Sequence, residues 1–216
     1  MNKWLIYLCF TVISAIVLIL FFVRNQPVDI DALIEARQAE HIQITEPTVS
    51  FVNPSKGAEN PKVTIVEFGD FGCEACKGIS QTLDQILEKY PDEVRVVWKH
   101  LPNDSLHPNT TQASIAAQCA HRQHKFWPYH NELYNNRLLF TVGIFDQIAT
   151  SLELDIEQFG ACFNSEETKP VIDKDVDEAF GLQLSATPTL FIGDEILVGQ
   201  VDFNKIDTIV KQQINQ

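Results

Sequence analysis

The chain has 216 residues, 45% hydrophobic and 21% charged, which suits one domain with attachments or two small domains. This composition excludes a disordered or collagen-like chain, and five cysteines are too few for a disulfide-packed miniprotein. The formal net charge is -13, with Lys3 and Arg24 the only charges in the first 24 residues and no run of Lys and Arg beyond them. Nucleic acid is therefore excluded as a partner, since it requires a basic patch.

Residues 4–23, WLIYLCFTVISAIVLILFFV, carry no charge. At about 1.5 Å per residue, a helix of this length crosses a bilayer core of about 30 Å. The segment predicts a transmembrane helix, with residues 1–24 as an uncleaved membrane anchor. Bulky Leu20, Phe21, Phe22 and Val23 run straight into Arg24 without the small-residue pattern of a cleaved signal. A cleaved signal segment is the alternative. Flanking charge leaves the orientation open, with Lys3 on one side and Arg24 on the other.

Residues 25–57 read as a juxtamembrane helix and linker. Ile30, Leu33 and Ile34 fall at helical spacing within 28–41 and predict a spacer helix, or a self-association helix and so a candidate homodimer contact. Pro47, Pro54, Gly57 and Pro61 mark 42–61 as linker. Val63, Ile65 and Val66 then form a short β-branched run, as in a strand buried on both faces. Ile79, Leu83, Ile86, Leu87 and Tyr90 recur at spacings of three and four, so a helix follows and ends at Pro91. Val94, Val96, Val97 and Trp98 read as a second strand, parallel to the first through a right-handed crossover. From about 107 to 180 the pattern is helical, in several pieces. TLFIG and EILVG then predict a hairpin, and a helix over about 203–214 closes the chain.

Cys73-Glu74-Ala75-Cys76 lies where the first strand hands over to the first helix. Two cysteines three apart in a helical turn share a face and can form a disulfide. The N–H groups at the helix start favour a thiolate on Cys73 and should lower its pKa. Such a pair near a β-α-β pattern is a redox signal; half a zinc site or a structural bridge is the alternative. Glu67, six residues earlier, can be directed inward by strand alternation. There it would accept the proton that Cys76 loses on resolving a mixed disulfide. Ala186-Thr187-Pro188-Thr189 precedes the TLFIG strand, so Pro188 marks the strand start or a cis turn. Beside the cysteines, such a turn would expose the Thr187 backbone to a client peptide added as a strand. The histidines show no spacing that names a metal, and Trp127 reads as packing.

These residues support a resemblance. NPKVTIVEFGDFGCEACK (60–77), VVWKHLPNDSLHP (96–108), AAQCA with KFWPYHNELY (116–134) and SATPTLFIGDEILVG (185–199) resemble the DsbA-like thioredoxin-fold disulfide oxidoreductases. The resemblance runs from about residue 58 to the C-terminus. It implies an α/β thioredoxin fold with a helical insertion between the β-α-β unit and the C-terminal hairpin and helix. It further implies a nucleophilic Cys73, a resolving Cys76, a cis Pro188, a buried acid at Glu67 and placement outside the cytoplasm. Extracytoplasmic placement orients the anchor with Lys3 inside and residues 25–216 outside. Cys119 and Cys162 then pair as a second disulfide in an oxidising compartment, free buried thiols being the alternative.

One departure bears on the chemistry. Strongly oxidising members carry a histidine between the cysteines, where this chain has Glu74-Ala75. A carboxylate at Glu74, with Asp70 nearby, should raise the Cys73 pKa and make the disulfide a milder oxidant. The expected activity is thus a membrane-tethered cell-envelope thiol–disulfide oxidoreductase that makes, isomerises or reduces disulfides in exported proteins. It needs no cofactor beyond its two sulfurs. A quinone-linked oxidase or a reductase in the membrane would reset it. The rival reading is an envelope protein that holds copper or zinc on the same cysteines, since soft thiolates suit both.

Overall fold

The computed structural model describes residues 3, 4, 12–18, 21 and 45–215. The chain divides into two units, Met1–Ile42 and Gln43–Gln216. In the first, the described residues are helical and exposed. Among the described residues no helix is long and apolar enough to cross a membrane. Much of the expected span at 4–23, and all of the expected self-association helix at 28–41, lies outside the described residues.

The second unit is built on one mixed sheet of order β1-β3-β2-β4-β5. Its strands are β1 (Ser55–Gly57), β2 (Val63–Gly69), β3 (Val94–His100), β4 (Thr189–Ile192) and β5 (Glu195–Val198). β2 and β3 are parallel, with Glu67 opposite Trp98, and the remaining pairings are antiparallel. Helix α1 (Glu74–Lys89) makes the crossover between β2 and β3. The insertion holds α2 (Thr110–His121), α3 (Phe126–Asn135), α4 (Val142–Ser151), α5 (Ile156–Asn164) and α6 (Lys169–Gly181); α7 (Phe203–Ile214) closes the chain. This is the thioredoxin-like α/β architecture. One difference concerns the linker: residues 55–57 form an edge strand of this sheet. Three residues carry no readable alternation, and their pairing comes from the backbone of Arg95, Val96 and Val97.

Strand alternation gives the sheet two faces. Val63, Ile65, Val94, Val96, Leu190 and Ile192 pack against Ile79, Leu83 and Ile86 of α1 and Ile206, Ile209 and Val210 of α7. On the other face Val66, Phe68, Val97 and Phe191 meet Ala179 of α6. The insertion has its own core, joined to the sheet through Phe71 and Trp98. Those two rings stack with centroids 5.0 Å apart. Gly69 makes room for this, since a Cβ there would run into the Trp98 ring. Cys119 of α2 and Cys162 of α5 form a disulfide that ties two insertion helices together.

Beneath the second face lies a buried charge cluster. Lys99 donates to Asp175 Oδ1 at 2.9 Å and to Glu178, and all three side chains are almost fully buried. Asn53 Nδ2 and the His100 N–H complete Asp175. Thr48 donates to Glu178 through its N–H at 2.7 Å and through its hydroxyl at 2.5 Å. The chain leading into β1 is thereby fastened to α6. Burial pushes the Asp175 carboxyl up. Burial also works against charge on Glu178, yet bonds from Lys99 and Thr48 hold that carboxyl below its ordinary value. Removing one member of a buried ion pair strands the other charge. Lys99→Met is therefore expected to lower unfolding stability by about 3–5 kcal/mol, read from urea denaturation.

Candidate active site

The turn after β2 sets the site. Asp70 is fully buried. It accepts from the Gly72 N–H at 2.8 Å, the Asn103 N–H at 3.1 Å and His107 Nδ1 at 2.8 Å. Its oxygens are thus spent on the two loops that flank Cys73. A Cβ at Gly72 would strike His107, so this close loop contact needs glycine.

Cys73 is the N-cap of α1, and its Sγ accepts from the Cys76 N–H at 3.4 Å. Its Sγ also lies 3.5 Å from the Thr187 carbonyl oxygen. The Thr187–Pro188 peptide is cis and leads directly into β4. Cys73 is 7% exposed and Cys76 is 0% exposed, so only the first sulfur meets the surface. A groove of about 580 Å³ opens at Cys73, bounded by Leu101, Leu106, His107, Phe180, Leu184 and Thr187 among others.

The two thiols are pushed in opposite directions. Cys73 is lowered from 9.0 to about 6: the Cys76 side chain contributes most, and N–H groups of the helix start and Thr187 add to it against partial burial. Cys76 is pushed far up by burial, by its bond to Cys73 and by the charges of Glu67 and Cys73. Cys73 lies below its ordinary value, as expected of a thiol at a helix start, so the lowering contacts outweigh any raising by Glu74 and Asp70. Glu74 is exposed and paired with Arg137, a partner distant in sequence, so its charge is partly screened. Asp70 is bonded to the loops instead.

Glu67 faces the same side as Trp98 and is 1% exposed. Burial raises its carboxyl from 4.5 to about 8; Lys56 draws it back, and Cys73 and Asp84 push it up. Among the described residues its Oε1 has no hydrogen-bond partner. Lys56 is itself paired with Asp84 and stands 4.2 Å from the Trp127 ring centre. The structure therefore brings Cys73, Cys76, Glu67, Thr187 and Pro188 together, and places Cys119 and Cys162 apart from them within the insertion. His100 does not reach the cysteines; it is bonded to Trp98 Nε1 at 3.1 Å and Gln118 at 3.1 Å. Sequence reasoning missed His130 and Tyr134, which enter this neighbourhood from α3. Their spacing with Trp127 on one helical face was the available signal. Among the described residues no group of three or more His, Cys, Asp or Glu is placed to hold a metal ion.

A thioredoxin family model matches residues 52–212. The chain belongs to the thioredoxin family. It is similar to a periplasmic thioredoxin-like protein from Salmonella enterica serovar Typhimurium (27% identity, 76% of this chain and 91% of that one, TM-score 0.63). It is also similar to the catalytic domain of Proteus mirabilis ScsC (25% identity, 84% and 98% covered, TM-score 0.65). Oxidised BdbD from Bacillus subtilis shares the fold, at 21% identity, 76% and 94% coverage and TM-score 0.69. Among curated relatives, the Na(+)/H(+) antiporter NhaA 1 of Mycolicibacterium gilvum is 30% identical over 139 residues, 63% of this chain and 22% of the antiporter. The chain thus spans about a fifth of the length of the curated relatives it matches.

Two titrations follow from these environments. Thiolate absorbance lost in Cys73→Ser is expected to titrate with a midpoint near pH 6. A lowered thiol stabilises the fold fully above its ordinary value of 9.0, and that contribution is lost as pH falls through about 6. Reduced protein, compared with Cys73→Ser by urea denaturation, should therefore gain stability from pH 6 to 9. Glu67 acts in the opposite sense: its raised carboxyl favours folding below 4.5, and this is lost as pH rises through about 8. Glu67→Gln should accordingly be more stable than the native chain at pH 9.

Proposed function

We propose that the protein is a membrane-tethered thiol–disulfide oxidoreductase of the cell envelope that donates its Cys73–Cys76 disulfide to exported client proteins. The observation that carries this reading is the asymmetry of the pair. Cys73 has a stabilised thiolate at an open groove, whereas Cys76 is closed off and held protonated. A pair whose reduced form is stabilised in this way is an oxidant when disulfide-bonded.

In the forward step a client thiolate attacks Cys73 Sγ, and the Cys73–Cys76 bond breaks. Its electron pair leaves on Cys76 Sγ, which takes the proton held by Glu67. A second client thiolate then attacks the client sulfur of the mixed disulfide and expels Cys73 as thiolate. Two electrons have passed from the client dithiol to the enzyme pair. The client backbone lies along Ser185–Thr187, with Ser185 and Ala186 exposed for pairing as an added strand. Leu106 and Phe180, both 71% exposed, offer apolar contact beside it.

The charge-free residues 4–23 support membrane tethering. The periplasmic protein among the similar structures supports a catalytic domain outside the cytoplasm. A quinone-linked membrane oxidase would reset the pair. Equilibration of the full chain with glutathione tests the direction of electron flow. An oxidising potential is expected; a strongly reducing value would turn the role to reductase or isomerase, with a membrane reductase as partner. Cys76→Ala should accumulate Cys73-linked client mixed disulfides on a non-reducing gel, and Cys73→Ser should yield none. Equal amounts from both variants would refute the assignment of Cys73 as nucleophile.

A further inference from the structure

The step that opens the Cys73–Cys76 disulfide asks much of the client. A cysteine thiol has an ordinary pKa of about 8.5 and is mostly protonated near neutral pH, yet the thiolate is the attacking species. The leaving sulfur is Cys76, whose thiol is pushed far up by burial, and such a sulfur leaves reluctantly. A base beside the entering sulfur would remove the first obstacle. His107 stands where that base is needed, and the mechanism above does not use it.

His107 lies in the loop between β3 and α2, against the turn that carries Cys73. The contact is close: a Cβ added at Gly72, the residue before Cys73, would stand 2.3 Å from the His107 Cβ. The ring is fixed at one nitrogen. His107 Nδ1 is 2.8 Å from Oδ2 of Asp70, which is fully buried. A carboxylate only accepts, so Nδ1 carries the hydrogen and Nε2, across the ring, holds a lone pair. Among the described residues nothing is bonded to Nε2, and the side chain is 32% exposed, so this nitrogen is on the open side. His107 and Cys73 line the same groove of about 580 Å³. Cys76 is 0% exposed on the inner side of Cys73, so a sulfur attacking in line with their disulfide arrives through that groove. An imidazole oriented by a carboxylate, beside the path of a nucleophile, is the arrangement that activates weak nucleophiles. The other charged groups around the ring are Cys73 at the start of α1, Asp104 in the same loop and Arg137 after α3. Asp104 accepts from the Thr111 N–H at 3.1 Å, and Arg137 is paired with Glu74. From α6 the groove receives Val176 and Phe180, both apolar.

We propose that His107 is a catalytic base whose Nε2 takes the hydrogen of the client thiol as the client sulfur attacks Cys73. The client sulfur bonds to Cys73 Sγ, and the Cys73–Cys76 bond breaks. Its electron pair stays on Cys76 Sγ, which takes the Glu67 proton. The imidazolium, stabilised meanwhile by Asp70, releases its proton to solvent at the exposed edge of the ring. The proposal rests on the oxidoreductase reading above.

The test uses His107→Asn, which puts an amide N–H where Nδ1 stood and so keeps the tie to Asp70 while removing Nε2. Oxidised full chain is mixed with excess dithiothreitol, quenched in acid at intervals, and the remaining Cys73–Cys76 disulfide is read by peptide mass spectrometry. At pH 7 the variant should lose its disulfide about tenfold more slowly than the native chain, a modest share of what a general base supplies. At pH 10, where the dithiol ionises without help, the two rates should agree within about twofold. Glu67 is common to both proteins and cancels from the ratio. A native rate at pH 7 would overturn the proposal. So would equal slowing at every pH, which is what a loop displaced by the substitution gives. If His107→Asn fails to fold, Glu67→Gln decides, since it removes the titration of that carboxyl. Its rate should rise well under tenfold from pH 7 to 8, and a rise of about tenfold, as a thiolate acting alone requires, overturns the base. A native pair that does not oxidise dithiothreitol at any pH would instead defeat the oxidoreductase reading.

Discussion

A helix start normally satisfies its first N–H groups with an oxygen; here the Cys73 sulfur takes that position, receiving the Cys76 N–H. This one substitution of sulfur for oxygen organises the site. The same contact that caps α1 stabilises negative charge on the sulfur, so local folding and thiol acidity have a common cause. It also fixes Cys76 one turn along, on the inner side of the helix, where burial keeps it protonated. The surrounding structure maintains the cap. Asp70 ties down the turn before it, Gly69 and Gly72 admit Trp98 and His107, and Thr187 approaches the sulfur from the far strand.

The sheet gives these contacts their rigidity. β2 carries Glu67 toward α1, and the cis proline leads directly into β4, so the acid and the cis turn belong to adjacent strands. Both sheet faces are covered, one by α1 and α7 and the other by α6. The α6 face is held by apolar packing and by the Lys99 cluster, which also fastens the incoming chain at Thr48. The insertion reaches the site through Phe71 and Trp98, so its aromatic core and the redox pair share walls.

Much of this was legible in the sequence where a local pattern decided it. Short β-branched apolar runs marked β2 and β3, helical periodicity marked α1 and α7, and strand parity directed Glu67 inward. The remainder depended on partners far along the chain. Nothing near Glu74 indicates that Arg137, 63 positions on, pairs with it and screens its charge. Lys99 looked like an ordinary strand residue because Asp175 and Glu178 lie 76 and 79 positions away. Three-residue β1 lacks any pattern of its own and exists only because β3 offers an unpaired edge. Tyr134 and His130 carry no local signal; that their polar atoms lack partners among the described residues becomes visible only once the aromatic cluster is assembled.

The unequal exposure of the two sulfurs has a consequence under oxidative stress. A low-pKa, reachable thiolate is the species that peroxide attacks first, giving a sulfenic acid. At an isolated cysteine, further attack leads to sulfinic and sulfonic acids that the cell does not readily repair. Here Cys76 lies one helical turn from Cys73 and is sealed from the oxidant. Its thiol condenses with a sulfenic acid on Cys73, water leaves, and the product is the Cys73–Cys76 disulfide. The injury is converted into the oxidised form that the pair adopts in any turnover.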